Sequence, residues 1–104
     1  MRQARQEYYI LDGKTVVPTD MMTWARWFQE ARTKRVVAKT QTGDATVSTV
    51  FVGLEHRFSS EGPPLIFETL VFGGPYDGEM TRYSTWDEAE RGHAAMLAKI
   101  GALQ

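Results

Sequence analysis

His93 and Glu68 are the two side chains whose surroundings make them chemically unusual, and His56, Glu55 and Tyr83 are the groups that could join them. His93 falls in the middle of an apolar helical stripe, where each ring nitrogen needs a partner. Such a ring can act as an acid–base device, or it can be a neutral core histidine bonded to a tyrosine or a backbone carbonyl. Glu68 stands inside Leu65-Ile66-Phe67-Glu68-Thr69-Leu70-Val71-Phe72, where a carboxylate is unfavourable unless hydrogen-bonded or paired with a base such as Arg57 or Arg82. If the strands flanking the intervening Pro-rich loop pair directly, Glu55 and Glu68 share a sheet face, the carboxylate pairing of glycosidases. A hydrolase-like site would combine His93 or His56 with Glu68 and Tyr83.

Two other stretches invite a functional reading and have a simpler one. Gly73-Gly74-Pro75-Tyr76-Asp77-Gly78 has the glycines of a phosphate cradle, but a strand follows rather than a helix, and Pro75 lacks an N–H. A turn accounts for it. Arg32, Lys34 and Arg35 could contact phosphates, yet Glu30 is close in sequence and no aromatic platform is interleaved, so a solvated helix end is the competing account.

Composition narrows the classes further. The 104 residues suffice for one core. Twelve basic against thirteen acidic residues leave a formal charge of −1, so no global field favours nucleic acid or an anionic membrane. There is no cysteine, which excludes disulfides, thiol catalysis and thiolate metal sites. No cofactor is expected. No apolar run approaches the length of a membrane span, and the polar start lacks the apolar stretch of a signal peptide; a cytoplasmic setting is the expectation.

The elements that must position these groups follow from periodicity. Residues 1–7 are expected to be a flexible lead-in to a single domain over residues 8–104. Tyr8–Leu11 and Thr15–Val17 flank Asp12-Gly13, a hairpin signal. Thr19 or Asp20 caps a helix to about Thr33, with Met21, Trp24, Ala25, Phe28 and Ala31 on one face and Met22 and Trp27 off it. Arg35–Thr40 and Ala45–His56 form a second hairpin about Gln41–Asp44. After the loop Ser59–Pro64, the strand Leu65–Phe72 is apolar on both parities, as a central strand covered on both sides would be. A short strand, Met80–Tyr83, precedes a helix opened by a Thr85/Glu88 capping box and closed by Gly101. Trp86, Ala89, His93, Met96, Leu97 and Ile100 define its apolar face. The order β-β-α-β-β-β-β-α with hairpin links predicts a two-layer α+β domain: a mainly antiparallel sheet of five or six strands, with two helices on one face.

That architecture leaves apolar surface to spare. Val50, Phe51, Val52, Phe67, Leu70, Val71 and Phe72 occupy both parities of adjacent strands, so some must point away from the helices. Phe51, Phe67, Leu70, Phe72 and Trp27 are therefore the candidates for a protein-binding surface, with a homodimer as the simplest product.

Gly73, Gly74, Pro75 and Asp77, then Tyr83, Ser84, Thr85, Trp86, Glu88, Ala89, Gly92 and His93, form a pattern that resembles a group of small uncharacterised proteins carried by bacteriophages and prophages. Trp24–Phe28 and Thr46–Gly53 are similar too. No activity comes with the resemblance. It implies an accessory protein in the bacterial host cell that binds itself and a host or phage protein, with a host process or defence system as a target. A small hydrolase-like enzyme and a minor virion component are the alternatives. Gly92, poorly suited to a helix interior, implies close packing beside His93.

Overall fold

The computed structural model describes residues 5–57 and 62–101, and for Arg5, Gln6, His56 and Arg57 it describes the backbone. Its elements are β1 (Arg5–Asp12), β2 (Thr15–Thr19), α1 (Met21–Ala31), β3 (Val36–Thr42), β4 (Ala45–Phe51), β5 (Leu54–Arg57), β6 (Phe67–Phe72), β7 (Met80–Tyr83) and α2 (Trp86–Gly101). A 3-10 turn, Arg32–Arg35, follows α1. The strands pair antiparallel throughout, in one sheet ordered β2-β1-β5 and another ordered β3-β4-β6-β7. The fold is α+β. β1 already begins at Arg5, inside the segment expected to be a flexible lead-in, and part of the loop Ser59–Pro64 lies outside the described residues.

Two sheets replace the single one expected because the run Ala45–His56 is two strands, broken at Val52-Gly53. Gly53 has φ +72°, and a Cβ there would run into the Tyr9 carbonyl oxygen, the Phe51 ring and the Trp24 indole nitrogen. The corner is held from several sides. Tyr9 N–H donates to the Gly53 carbonyl at 2.8 Å, and the N–H groups of Val52 and Gly53 share the Ile66 carbonyl at 2.7 and 3.2 Å. Trp24 Nε1–H reaches the Val52 carbonyl at 3.2 Å. Here the chain leaves the four-stranded sheet and joins β1.

Both hairpins turn on a glycine at the first loop position. Asp12 pairs with Thr15 and Thr42 with Ala45, so the first turn is Gly13-Lys14 rather than Asp12-Gly13, and the second is Gly43-Asp44. Gly13 and Gly43 have φ of +65° and +58°, while Lys14 and Asp44 do not have positive φ, the pattern of a two-residue loop with glycine leading.

Helix α1 starts where Asp20 accepts from the Thr23 N–H at 2.8 Å, and these hydrogen bonds hold the Asp20 carboxyl below its usual range. It ends at Ala31 because Arg32 adopts φ 45°, two residues before the expected end. Its packed face is Trp24, Trp27, Phe28 and Ala31, with Met21 and Ala25 exposed. The apolar stripe is thus rotated from the one expected, and Trp27 belongs to it. Helix α2 keeps its expected face: Ala89, His93, Met96 and Ile100 are buried. The Thr85 cap is formed, with Glu88 N–H on Thr85 Oγ1 at 3.1 Å, while the Glu88 carboxylate reaches back to the Ser84 N–H at 3.0 Å, one residue before the cap. Gly101 is the last described residue and is helical.

The helices do not lie together on one continuous sheet. α2 crosses all four strands of the larger sheet, and α1 packs against β1. Both nevertheless occupy the same side of the larger sheet. Phe51 and Phe67 join Tyr9, Leu11 and Ala89 in one core cluster, and Trp27 meets Phe51 edge-on at 5.6 Å. A second cluster sets Ala45, Val47 and Val71 against Met96 and Ile100. The least dimension of the molecule is 20 Å, roughly one sheet and one covering layer at about 10 Å each.

Gly53→Ala therefore introduces both a positive-φ penalty and three collisions. A loss of about 2–4 kcal/mol is expected from overpacking plus backbone strain. Urea unfolding checks it; a loss below half a kcal/mol would mean the corner is not tightly packed.

Candidate functional site

Alternation along β4 and β6 decides which side chains meet α2. β4 sends Ala45, Val47, Thr49 and Phe51 inward, and β6 sends Phe67, Thr69 and Val71. Their register sets Phe51 opposite Phe67, Thr49 opposite Thr69 and Val47 opposite Val71. A pair of threonines thus lies between two apolar layers, beneath the helix position held by His93.

A hydrogen-bonded chain results that draws one residue from each strand of the sheet. Tyr83 of β7 donates its hydroxyl to Thr69 Oγ1 at 3.0 Å. Thr69 and Thr49 Oγ1 are 2.6 Å apart. Thr49 Oγ1 is 2.7 Å from His93 Nδ1, and His93 Nε2 is 2.9 Å from Thr40 Oγ1 of β3. With Tyr83 as donor, one assignment gives each buried hydroxyl proton an acceptor within the chain: Thr69 donates to Thr49, Thr49 to Nδ1, and Nε2–H to Thr40. The neutral Nε2–H ring satisfies every contact in the chain. Burial also holds the His93 pKa below its ordinary value by disfavouring the imidazolium.

Gly92 makes room for the far end of this chain. A Cβ there would occupy the space of the Tyr83 ring and hydroxyl, so the helix and tyrosine can approach this closely only with glycine. The close packing expected beside His93 is present.

The contact between Thr49 and His93 Nδ1 has the length of a hydroxyl nucleophile held by its base. Thr49 is nevertheless 0% exposed and His93 5%, so a substrate has no approach to either. Clefts among the described residues lie elsewhere. One of about 430 Å³ is lined by Leu11, Asp12, Gly13, Trp27 and Lys34, and one of about 40 Å³ by Val52, Leu54, Leu65, Phe67, Glu68 and Arg82.

The other chemically suspect residues are not brought to this chain. Glu68 is half-buried on the opposite sheet face, with Val50 and Arg82 as cross-strand neighbours. Thus His93 and Tyr83 are linked through two threonines, while Glu68 is separated from both by the sheet. Glu55 and Glu68 do not share a face, because β5 pairs with β1 and β6 with β4 and β7. Glu55 is buried and accepts the Leu65 N–H at 2.8 Å. His56 stands opposite Gln6 in the β1–β5 ladder, and its side chain lies outside the described residues. No group of three potential metal ligands occurs among the described residues.

Of the binding candidates, Phe51 and Phe67 are fully buried beneath α2, and Trp27 is half-buried against Phe51. Leu70 and Phe72 point to the open side. Gly73–Gly78 is a turn: the Gly73 N–H binds Asp77 Oδ1, and Gly73 lies against the Asp44 carbonyl. Arg35 is not merely a solvated helix end, since its guanidinium stacks 3.8 Å over the Phe28 ring. Thr40, Thr49 and Thr69 were not evident as site residues from sequence; their signal is a threonine in the apolar parity of each strand, which means little until the register is known.

Comparison with protein-family models, curated proteins and solved structures finds no match to this chain. No helix among the described residues is long and apolar enough to cross a membrane.

The two helical glycines separate packing from propensity. Gly101 has no neighbour within 4 Å of a built Cβ, so Gly101→Ala should be neutral or stabilising by up to about 1 kcal/mol. Gly92→Ala should reverse that sign and destabilise by about 2 kcal/mol or more. Thermal unfolding of the pair is the check, and a stabilised Gly92→Ala would show that Tyr83 is not wedged against the helix.

Proposed function

We propose that this chain is a binding protein that works through the open face of its four-stranded sheet. The observation that carries this reading is where apolar surface is left in water. Of the six exposed large hydrophobic residues among those described, Val36, Leu65, Phe72 and Met80 lie on or beside that face, and the other two are Met21 and Met22 of α1. Register places Leu70 beside Met80 and Val50 beside Val36, with Ser48 opposite Leu70 and Glu68 opposite Val50 between the two pairs. Lys39, Glu68 and Arg82 stand among them and give the patch a mixed, polar-edged character, as protein interfaces have.

Size sets the strength of the contact. Four strands about 4.8 Å apart, with six residues rising about 3.3 Å each, present roughly 400 Å². That is about half of what one partner buries in a standard interface. A second copy docking on this face alone makes a weak, exchanging homodimer, and a host or phage protein that reaches beyond the sheet would bind more firmly. The phage and prophage resemblance supplies the setting: an accessory protein in the bacterial cytoplasm that modulates a host process.

Phe72 is 52% exposed and Met80 48%, so charge can be placed there without disturbing the core. Sedimentation velocity should show the average mass of the wild type rising with concentration, and Phe72→Glu remaining monomeric with an unchanged circular dichroism spectrum. A wild type that stays strictly monomeric to several hundred micromolar defeats the self-association reading. Large closed rings would point to a virion component instead.

A further inference from the structure

We propose that His93 is a proton-operated latch: the neutral ring helps fasten helix α2 to the four-stranded sheet, and protonation weakens that attachment. Three observations carry this. The ring is the hydrogen-bonded joint between α2 and the hydroxyl chain, with Thr40 on one nitrogen and Thr49 on the other. With Tyr83 donating, the assignment that gives each buried hydroxyl proton an acceptor runs from Tyr83 through Thr69 and Thr49 to Nδ1. Thr49 and Thr69 are both 0% exposed.

A proton added at Nδ1 then has nowhere to sit without a rearrangement. Nδ1–H and the Thr49 O–H would face each other, so Thr49 must turn and donate to Thr69. Thr69 must then either lose its own acceptor, in a place sealed from water, or turn onto Tyr83 and push that hydroxyl's proton outward, so that the whole chain reverses. A buried donor without a partner and a buried charge are both strongly disfavoured.

No opposite charge offsets them. The strand residues facing α2 around the ring are Ala38 and Thr40 of β3, Val47 and Thr49 of β4, Thr69 of β6, and Thr81 and Tyr83 of β7, by register with the buried positions. Tyr83 is the one titratable group among them. Lys39, Glu68 and Arg82 lie on the other sheet face, and Glu90 and Arg91 of α2 are exposed. Release of α2 would uncover Val47 and Val71, which it buries.

The direction with pH follows from linkage. The unfolded chain takes up the proton near the ordinary value of 6.5, whereas burial lowers the folded value. The unfolded state therefore binds more protons below about 6.5, and stability falls as pH drops through that window. Above it the latch is fully closed.

His93→Gln tests this, since a glutamine oxygen can accept from Thr49 and its amide can donate to Thr40, with no proton to gain. Between about pH 7.5 and 5.5, the folding constant of the wild type should fall more than that of the variant, by up to about tenfold, the limit set by a group protonated only when unfolded. His56 and the carboxylates contribute to both proteins and cancel. Nitrogen-15 NMR of the wild type, which does not depend on the variant folding, should show the Nε2–H tautomer and a ring that titrates below its ordinary value. Equal pH dependence in the two proteins, an Nδ1–H tautomer, or a ring titrating at or above the ordinary value would overturn the latch.

Discussion

A β-strand has two faces, and β4 and β6 have a helix for only one of them. This constraint governs the rest of the molecule. A slip of one residue in either strand would bring Val50 or Glu68 under α2 and drive Phe51 or Phe67 into water. Burying each phenylalanine is worth about 2–3 kcal/mol, so the register is held by several such side chains at once: Phe51 and Phe67 at one end, Val47 and Val71 at the other. Once that register is fixed, Thr49 must lie opposite Thr69, and the opposite face must carry Leu70 and Phe72. The polar chain and the exposed patch have the same origin.

Between its two apolar clusters the core carries a polar layer, and its energetic role differs from theirs. A satisfied buried hydrogen bond adds only about 1 kcal/mol net, whereas a buried hydroxyl left without a partner loses about 1–3 kcal/mol. Apolar contacts tolerate a helix that slides or rolls a little. The hydroxyl chain does not, because moving His93 out of reach of Thr40 and Thr49 strands several groups together. Gly92 acts in the same sense by admitting the Tyr83 ring at a single depth along α2. The apolar layers supply most of the attachment, and the polar layer specifies where it occurs.

Local features were legible in the sequence to the extent that their causes are local. The Thr85/Glu88 cap, the buried face of α2, and the glycines of both hairpins depend on residues within a turn or two, and all are present. The face of α1 was misplaced because Trp27 is drawn inward by Phe51, a neighbour 24 residues away in sequence, whereas Met21 and Ala25 meet nothing. The break at Gly53 is similarly invisible from its own surroundings. A glycine after Val50-Phe51-Val52 becomes a corner only when Tyr9, Trp24 and Ile66 arrive to bind it. His93 stood out by position on its helix, but its partners were unreadable, since Thr40, Thr49 and Thr69 are ordinary strand residues until pairing aligns them. For the same reason Glu68 looked like a companion of His93 when it belongs to the other side of the sheet.

The edges of the sheet explain why association should proceed through the face. An unpaired strand offers its backbone to any extended chain, and soluble proteins blunt such edges with short strands, bulges and lysines. Both edges here are blunted. β7 is only four residues long, and β3 has a register irregularity between Val36 and Ala38 with Lys39 exposed along it. Strand addition would gain few backbone hydrogen bonds at β7 and would meet the irregularity and a lysine at β3. The open face has no comparable protection: Phe72 and Met80 project into solvent there, with Leu70 beside them. Recognition on this molecule is thus directed to side chains rather than to backbone, which favours a partner chosen by its shape over one captured by its extended conformation.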